Sequence, residues 1–215
     1  MSTAQIQALT TSQIAALSTA DMAALNSTQL AAFTTNQITA FTTTDLAALS
    51  TSLIAAGLTT DQIVALTTAQ VGAFTTAQVS ALTTNQVAAL ETADLAAMKT
   101  SQIAALTTAQ VASGLTTAQI VALTTAQASA LTTAQTAALT TAQVAALETA
   151  DLVAMKTSQI AALTTAQVAS GLTTDQIVAL TTAQAGALTT AQTAALTTAQ
   201  VAALETADLV AMKTS

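Results

Sequence analysis

The chain has 215 residues, of which 6% are charged, and it carries a net charge of −7 with no Arg, His, Cys, Trp, Tyr or Pro. Three lysines cannot displace counterions along a phosphate backbone, which excludes nucleic acid as a partner, and the absence of Cys excludes disulfides and thiolate metal sites. Ala, Leu, Ile and Val supply most of the 52% hydrophobic content, yet Thr and Gln interrupt every apolar run long before the roughly 20 residues of a membrane-spanning helix.

The chain opens on Met1-Ser2-Thr3-Ala4-Gln5, which has neither the basic start nor the apolar stretch of a Sec-type signal peptide. From there a large apolar residue recurs every eight positions: Leu9, Leu17, Leu25, Phe33, Phe41 and Leu49. A nine-residue step leads to Leu58, and further ones carry Leu106 to Leu115 and Leu163 to Leu172. Each extra residue is a glycine, Gly57, Gly114 and Gly171, so six octads and one nonad make a super-repeat of 57 residues. The whole of 1–215 reads as a single continuous repeat array. Residues 1–50 diverge from the pattern, as expected of N-terminal capping repeats, and 51–215 are regular super-repeats.

The consensus octad is Leu-Thr-Thr-Ala-Gln-(Ile/Val)-Ala-Ala. In one long helix its apolar stripe would rotate by about 80° per octad and form no face. A heptad coiled coil fails for the same reason, and a strand requires an alternation that is absent. A helix start every eight residues fits. In Leu106-Thr107-Thr108-Ala109-Gln110-Val111, Thr107 and Gln110 make a capping box, and Leu106 with Val111 a hydrophobic staple. Asp replaces Gln at Asp94 and Asp151, where a carboxylate suits the positive end of the helix dipole. The prediction is therefore an all-α solenoid of helices about five or six residues long, one per octad. Gly57, Gly114 and Gly171 fall where left-handed C-terminal caps would make wider corners.

Helices this short, far under the ~12–15 residues at which an isolated helix is marginal, persist only by stacking. Two large apolar side chains per octad fall short of the entropy lost in ordering the backbone. Lateral or end-to-end assembly would supply further burial. The hand of the superhelix and the number of octads per coil stay open.

The candidate constellation is Glu148, Asp151 and Lys156, repeated as Glu91, Asp94, Lys99 and as Glu205, Asp208, Lys213. Paired carboxylates suit acid/base chemistry or a hard cation. Against this, no His, Arg or Tyr can complete a site, and calcium loops need several closely spaced oxygens and a glycine turn. The favoured reading is that Glu and Lys, at the N-caps of successive octads, form a solvated ion pair that sets register. Regular Thr-Thr pairs also suggest ice or crystal-surface binding, but capping already accounts for the Thr-x-x-Gln coupling. Gly72 and Gly186 lie in helical stretches and point to close backbone approach. Ala128, Thr136, Ala185 and Thr193 replace Ile or Val in the staple position, which fits equally a face where another copy packs and simple drift of the repeat.

The units Leu-Thr-Thr-Ala-Gln-Val-Ala-Ala-Leu and Leu-Glu-Thr-Ala-Asp-Leu-Val-Ala-Met resemble octapeptide tracts of very large bacterial proteins of adhesin-like or hemolysin-type surface description. The resemblance spans essentially the whole chain. It implies a bacterial, secreted or cell-surface setting, and it carries over no functional residue. The opening Met and the end at Ser215 in mid-pattern suggest the start of a longer protein.

These features lead to the expectation of a non-enzymatic structural protein that polymerises into an extracellular filament, sheath or surface layer. The alternative is a monomeric spacer stalk of a giant adhesin. The expected partners are copies of the chain itself, with no cofactor, metal, small-molecule substrate or membrane insertion.

Overall fold

The computed structural model describes residues 1–212. Among them are twenty-six helices and no strands, one helix per octad, from α1 (Thr3–Gln7) to α26 (Thr206–Ala211). Most have five or six residues. α5 (Thr35–Ile38), α9 (Thr68–Val71) and α23 (Thr182–Ala185) have four, and α7 (Thr51–Gly57) has seven. The all-α solenoid expected from the octad is the fold observed.

The local cause is the capping box. At the start of α10 (Thr76–Ala81), the Thr75 hydroxyl accepts from the Gln78 backbone N–H at 3.2 Å, and Gln78 Oε1 accepts from the Thr75 N–H at 2.9 Å. Two of the N–H groups that a helix start leaves without partners are satisfied by one Thr-x-x-Gln quartet. The same reciprocal pair opens helices from α1, capped by Ser2, to α25 (Thr198–Ala203), capped by Thr197.

The chain falls into two compact units, residues 1–110 and 111–215. In each, a helix packs on the third one after it. In the first unit α7 packs on α10, and α10 on α13 (Thr100–Ala105). In the second, α16 (Thr125–Ala130) packs on α19 (Thr149–Ala154), α19 on α22 (Thr174–Ala179), and α22 on α25. Three helices therefore complete one coil, and every third helix forms a column.

Each octad places the same positions inside. The Ile or Val after Gln is fully buried when a coil follows it, as at Ile63, Val79, Ile160 and Ile177. Its counterparts in the last described coil, Val201 and Leu209, are 44% and 43% exposed. The octad-closing Leu lines the interior of the corners. Phe33 and Phe41 in that position meet edge to face with centroids 5.0 Å apart, so corner residues of successive octads touch inside the coil. Thr-Thr-Ala faces outward, as at Thr140, Thr141 and Ala142.

The glycines depart from expectation. No described residue has positive φ, so none of the three inserted glycines is a left-handed cap. Gly57 is the last residue of α7. Gly171 follows α21 (Thr165–Ser170) with right-handed φ −98° and ψ −48°. The ninth residue lengthens the last helical turn: Gly171 N–H and Leu172 N–H both donate to the Gln167 carbonyl, at 2.8 and 2.9 Å. Glycine is required there by crowding. A Cβ on Gly171 would overlap the Gln167 carbonyl oxygen and sit 3.1 Å from Val144 Cβ. On Gly57 it would meet Leu30 and Leu53 side-chain carbons at 3.1 Å.

Candidate functional site

The recurring functional element is the glutamine at the third helical position. From α5 on, its side chain is buried, and its amide does two separate jobs, as in α8 (Thr60–Ala65). Gln70 Oε1 closes the capping box with the Thr67 N–H at 2.9 Å. Its Nε2 then donates to the carbonyls of Ile38 at 2.9 Å and Phe41 at 2.8 Å, one coil earlier. Gln78 does the same to Leu46 and Leu49, and Gln176 to Val144 and Leu147. The recipients are carbonyls at a helix end: the first of each pair already accepts one backbone N–H from the corner residue, as Ile38 does from Phe41 at 3.1 Å, and the second belongs to that corner residue itself. One planar amide thus caps the start of its own helix and the end of another.

Both jobs need an acceptor and a donor on one side chain, which the amide supplies. Glutamate would complete the capping box but has no N–H to give. The first coil shows what the ladder depends on. Gln5 and Gln13 make the same capping boxes but have no coil beneath them, and they are exposed. Gln37 is the first to be buried, donating to Ile6 and Leu9. Sequence reasoning identified the glutamine as a cap but missed its second role. The Thr-x-x-Gln spacing reports contacts three residues apart, whereas the partner carbonyls lie 28 to 32 residues away.

Six octads depart from this scheme: Asp21, Asp45 and Leu53 take the glutamine position in α3 (Thr19–Ala23), α6 (Thr43–Ala48) and α7 behind ordinary Ser or Thr caps, and three later ones change the cap as well. α12 (Thr92–Ala97), α19 and α26 begin at Glu91, Glu148 and Glu205, whose side chains make no cap bond. The glutamine position holds Asp94, Asp151 and Asp208, each at most 5% exposed. Loss of hydration, followed by repulsion from Glu91 and Glu148, raises the pKa of Asp94 and Asp151 above the ordinary aspartate value. Asp151 Oδ2 is buried with no hydrogen-bond partner. At the exposed Asp21 the direction reverses, because hydrogen bonds from the Ser18 hydroxyl and N–H lower its pKa.

Lys99 and Lys156 occupy the N-caps of α13 and α20 (Thr157–Ala162), and both are exposed. Lysine has no acceptor atom, so only the return bond forms, from Lys99 N–H to Gln102 Oε1 at 2.7 Å and from Lys156 N–H to Gln159 Oε1 at 2.6 Å. Glu148 and Lys156 head successive helices and so stand on different columns. Lys156 shares its column with Glu205, and α23 lies between them. Lys213 lies outside the described residues. Among those described, no cluster of three or more His, Cys, Asp or Glu could hold a metal ion, and no helix is long and apolar enough to cross a membrane.

The glycine positions are packing positions. Gly57, Gly114 and Gly171 are all buried. Gly72 and Gly186 are the C-caps of α9 and α23. A Cβ on Gly186 would stand 3.1 Å from the Ala211 carbonyl oxygen on α26, the helix packed against α23. Close backbone approach accounts for it. Thr136 fills its core position by donating its hydroxyl to the Thr132 carbonyl at 3.0 Å, but Thr193 Oγ1 is buried without a partner.

No curated protein and no solved structure matches the chain. A family model described as the ALTTAQ repeat matches six times, over residues 14–51, 55–84, 87–125, 113–141, 144–182 and 171–198. Together these matches cover most of the capped octads described above, and the chain belongs to the ALTTAQ repeat family.

Proposed function

We propose that this repeat protein is structural, and that copies of it assemble into an extracellular filament, sheath or surface layer. The observation that carries the reading is the direction of the ladder. Within each unit a coil receives glutamine N–H groups from the next coil, and its own glutamines give theirs to the previous one, as at Gln62, Gln70 and Gln78 in the first unit and Gln176 and Gln184 in the second. A head-to-tail contact of this kind has no built-in stop, so the same bonds can join coils of one chain or of two.

The outer surface supports side-by-side contact as well. It presents Thr and Ala with few charges to oppose like neighbours. Val153 and Val178, 41% and 48% exposed, lie on the packed helices α19 and α22. The charged octads, with Glu91, Lys99, Glu148 and Lys156 exposed, act in this reading as solvated register marks once per super-repeat. No catalysis, cofactor or small-molecule substrate enters it. Nor does ice binding, because the first Thr of each pair is engaged as a helix cap, as at Thr75 and Thr140.

Electron microscopy across a dilution series tests the assembly. Filaments that lengthen with protein concentration are the expected result. Isolated rods at every concentration would reject it in favour of the spacer stalk. One observation favours that second reading: the ladder closes within a single chain. Each of its bonds contributes about 0.5–1.5 kcal/mol net, stabilisation that the apolar content of the octad does not include.

A further inference from the structure

The glutamine ladder is interrupted where aspartate takes its position, and there the chemistry is inverted. Gln143 donates to Val111 and Leu115, and Gln159 to Ala128 and Leu131. Asp151 lies midway between these two glutamines, and the same offsets as for Gln159 assign it the carbonyls of Ile120 and Leu123. An ionised carboxylate has only acceptors, and so do those carbonyls. The outcome is visible in Asp151 Oδ2, which is buried and has no partner. Asp94 repeats the arrangement in the first unit, between Gln86, which donates to Ile54 and Leu58, and Gln102, which donates to Val71 and Phe74. Its register partners are Ile63 and Leu66.

A corner built only of acceptors calls for a hydrogen, and the simplest source is the acid itself. We propose that Asp151 and Asp94 bind a proton in the folded array, and that the neutral acid donates its hydroxyl to the helix-end carbonyls as the glutamine amide does elsewhere. Acid then tightens the array at these two corners. Aspartate is one methylene shorter than glutamine, so the tightened corner closes by about the length of a C–C bond, ~1.5 Å.

The surroundings favour the neutral form. Around Asp151, the ionisable groups are Glu148 on its own helix, Asp175 on α22 and Lys156 at the head of α20. α16, and α15 (Thr117–Val121) whose end it faces, carry none. Around Asp94 stand Glu91, Lys99 and Asp61, with none on α9. Burial raises the pKa of both aspartates, and a neighbouring glutamate adds to the shift. The sign follows from linkage. Protons are taken up on folding, so stability rises as pH falls through the raised values, and the gain is complete below the ordinary aspartate value of about 3.9.

The test is the thermal midpoint of the full chain between pH 7 and pH 4, beside Asp94→Asn/Asp151→Asn, which carries a permanent amide donor. The wild-type midpoint is expected to rise on acidification by roughly 2–4 °C per site. The double variant should start higher at pH 7 and lose most of that rise. An equal rise in both proteins would overturn the proposal, because it would come from the falling net charge. So would a double variant less stable than wild type at pH 7, or a wild-type midpoint raised at pH 7 by calcium ions alone. Carboxyl carbon resonances of the wild type, titrated by NMR, give an independent readout: two aspartates above the usual range support the proposal, and none refutes it.

Discussion

The Gln62 side-chain amide donates to the Leu30 carbonyl 2.9 Å away, a residue thirty-two positions earlier, while its oxygen holds the Thr59 N–H at 3.0 Å. One residue therefore writes the local and the long-range structure together. The two functions separate by substitution. Gln78→Glu keeps an acceptor for the Thr75 N–H but turns a carboxylate toward the Leu46 and Leu49 carbonyls. The loss of two bonds inside the core is expected to cost about 2–5 kcal/mol. Gln13→Glu, on an exposed side chain with no coil beneath it, should stay within about 0.5 kcal/mol of the parent. Urea unfolding followed by circular dichroism compares the two, and equal costs would mean that the ladder contributes nothing.

The paired threonines divide in the same way. The Thr140 hydroxyl accepts from the Gln143 N–H at 3.1 Å, whereas Thr141 is exposed at the first helical position and caps nothing. Thr140→Ala is expected to cost about 1 kcal/mol. Thr141→Ala, which replaces Thr with the best helix former, is expected to cost nothing or to stabilise slightly. If the pair instead served an external surface, stability would respond alike at both positions.

Much of this architecture is legible in the octad itself, because caps and staples are contacts between residues three to five apart. Thr75 and Gln78 announce a helix start before any fold is known, and Val79 announces a buried face. What the octad does not contain is the number of helices per coil. That number follows from the angle turned at each corner, and three per coil is what brings Gln78 to Leu46. The consequence for the charged residues was equally hidden. Seven helices separate Glu148 from Glu205, and seven is not a multiple of three, so the two stand on different columns. The glycines were misread for a related reason. Gly171 resembles a left-handed cap by its place at a helix end, but its backbone is right-handed and the pressure on it comes from the Gln167 carbonyl and from Val144.

Crowding and left-handedness make different demands on these glycines. Were positive φ the reason, alanine would be strained equally at Gly57 and Gly171. With crowding as the reason, Gly171→Ala drives a Cβ against a backbone carbonyl oxygen and is expected to cost about 1–3 kcal/mol. Gly57→Ala presses on Leu30 and Leu53 side-chain carbons at 3.1–3.2 Å rather than on a backbone oxygen, and it gains up to about 1 kcal/mol of helix propensity. The two effects offset, leaving a change near zero. Thermal unfolding of both variants distinguishes the two causes.

Two threonine hydroxyls at staple positions differ in whether they find a partner. Thr136 and Thr193 occupy equivalent staple positions, on α17 (Thr133–Ala138) and α24 (Thr190–Ala195). Thr136 donates to the Thr132 carbonyl, but the Thr193 hydroxyl oxygen is buried and unpartnered. Valine has nearly the same shape and removes the hydroxyl. At Thr193 it relieves an unsatisfied polar atom, so Thr193→Val is expected to stabilise by about 1–2 kcal/mol. At Thr136 the lost bond offsets the apolar gain, and Thr136→Val should change stability by less than about 1 kcal/mol. Chemical unfolding of the two single variants reads the difference directly. Equal gains would show that the Thr193 hydroxyl has a partner in solution, and the packing at that core position would then match the one around Thr136.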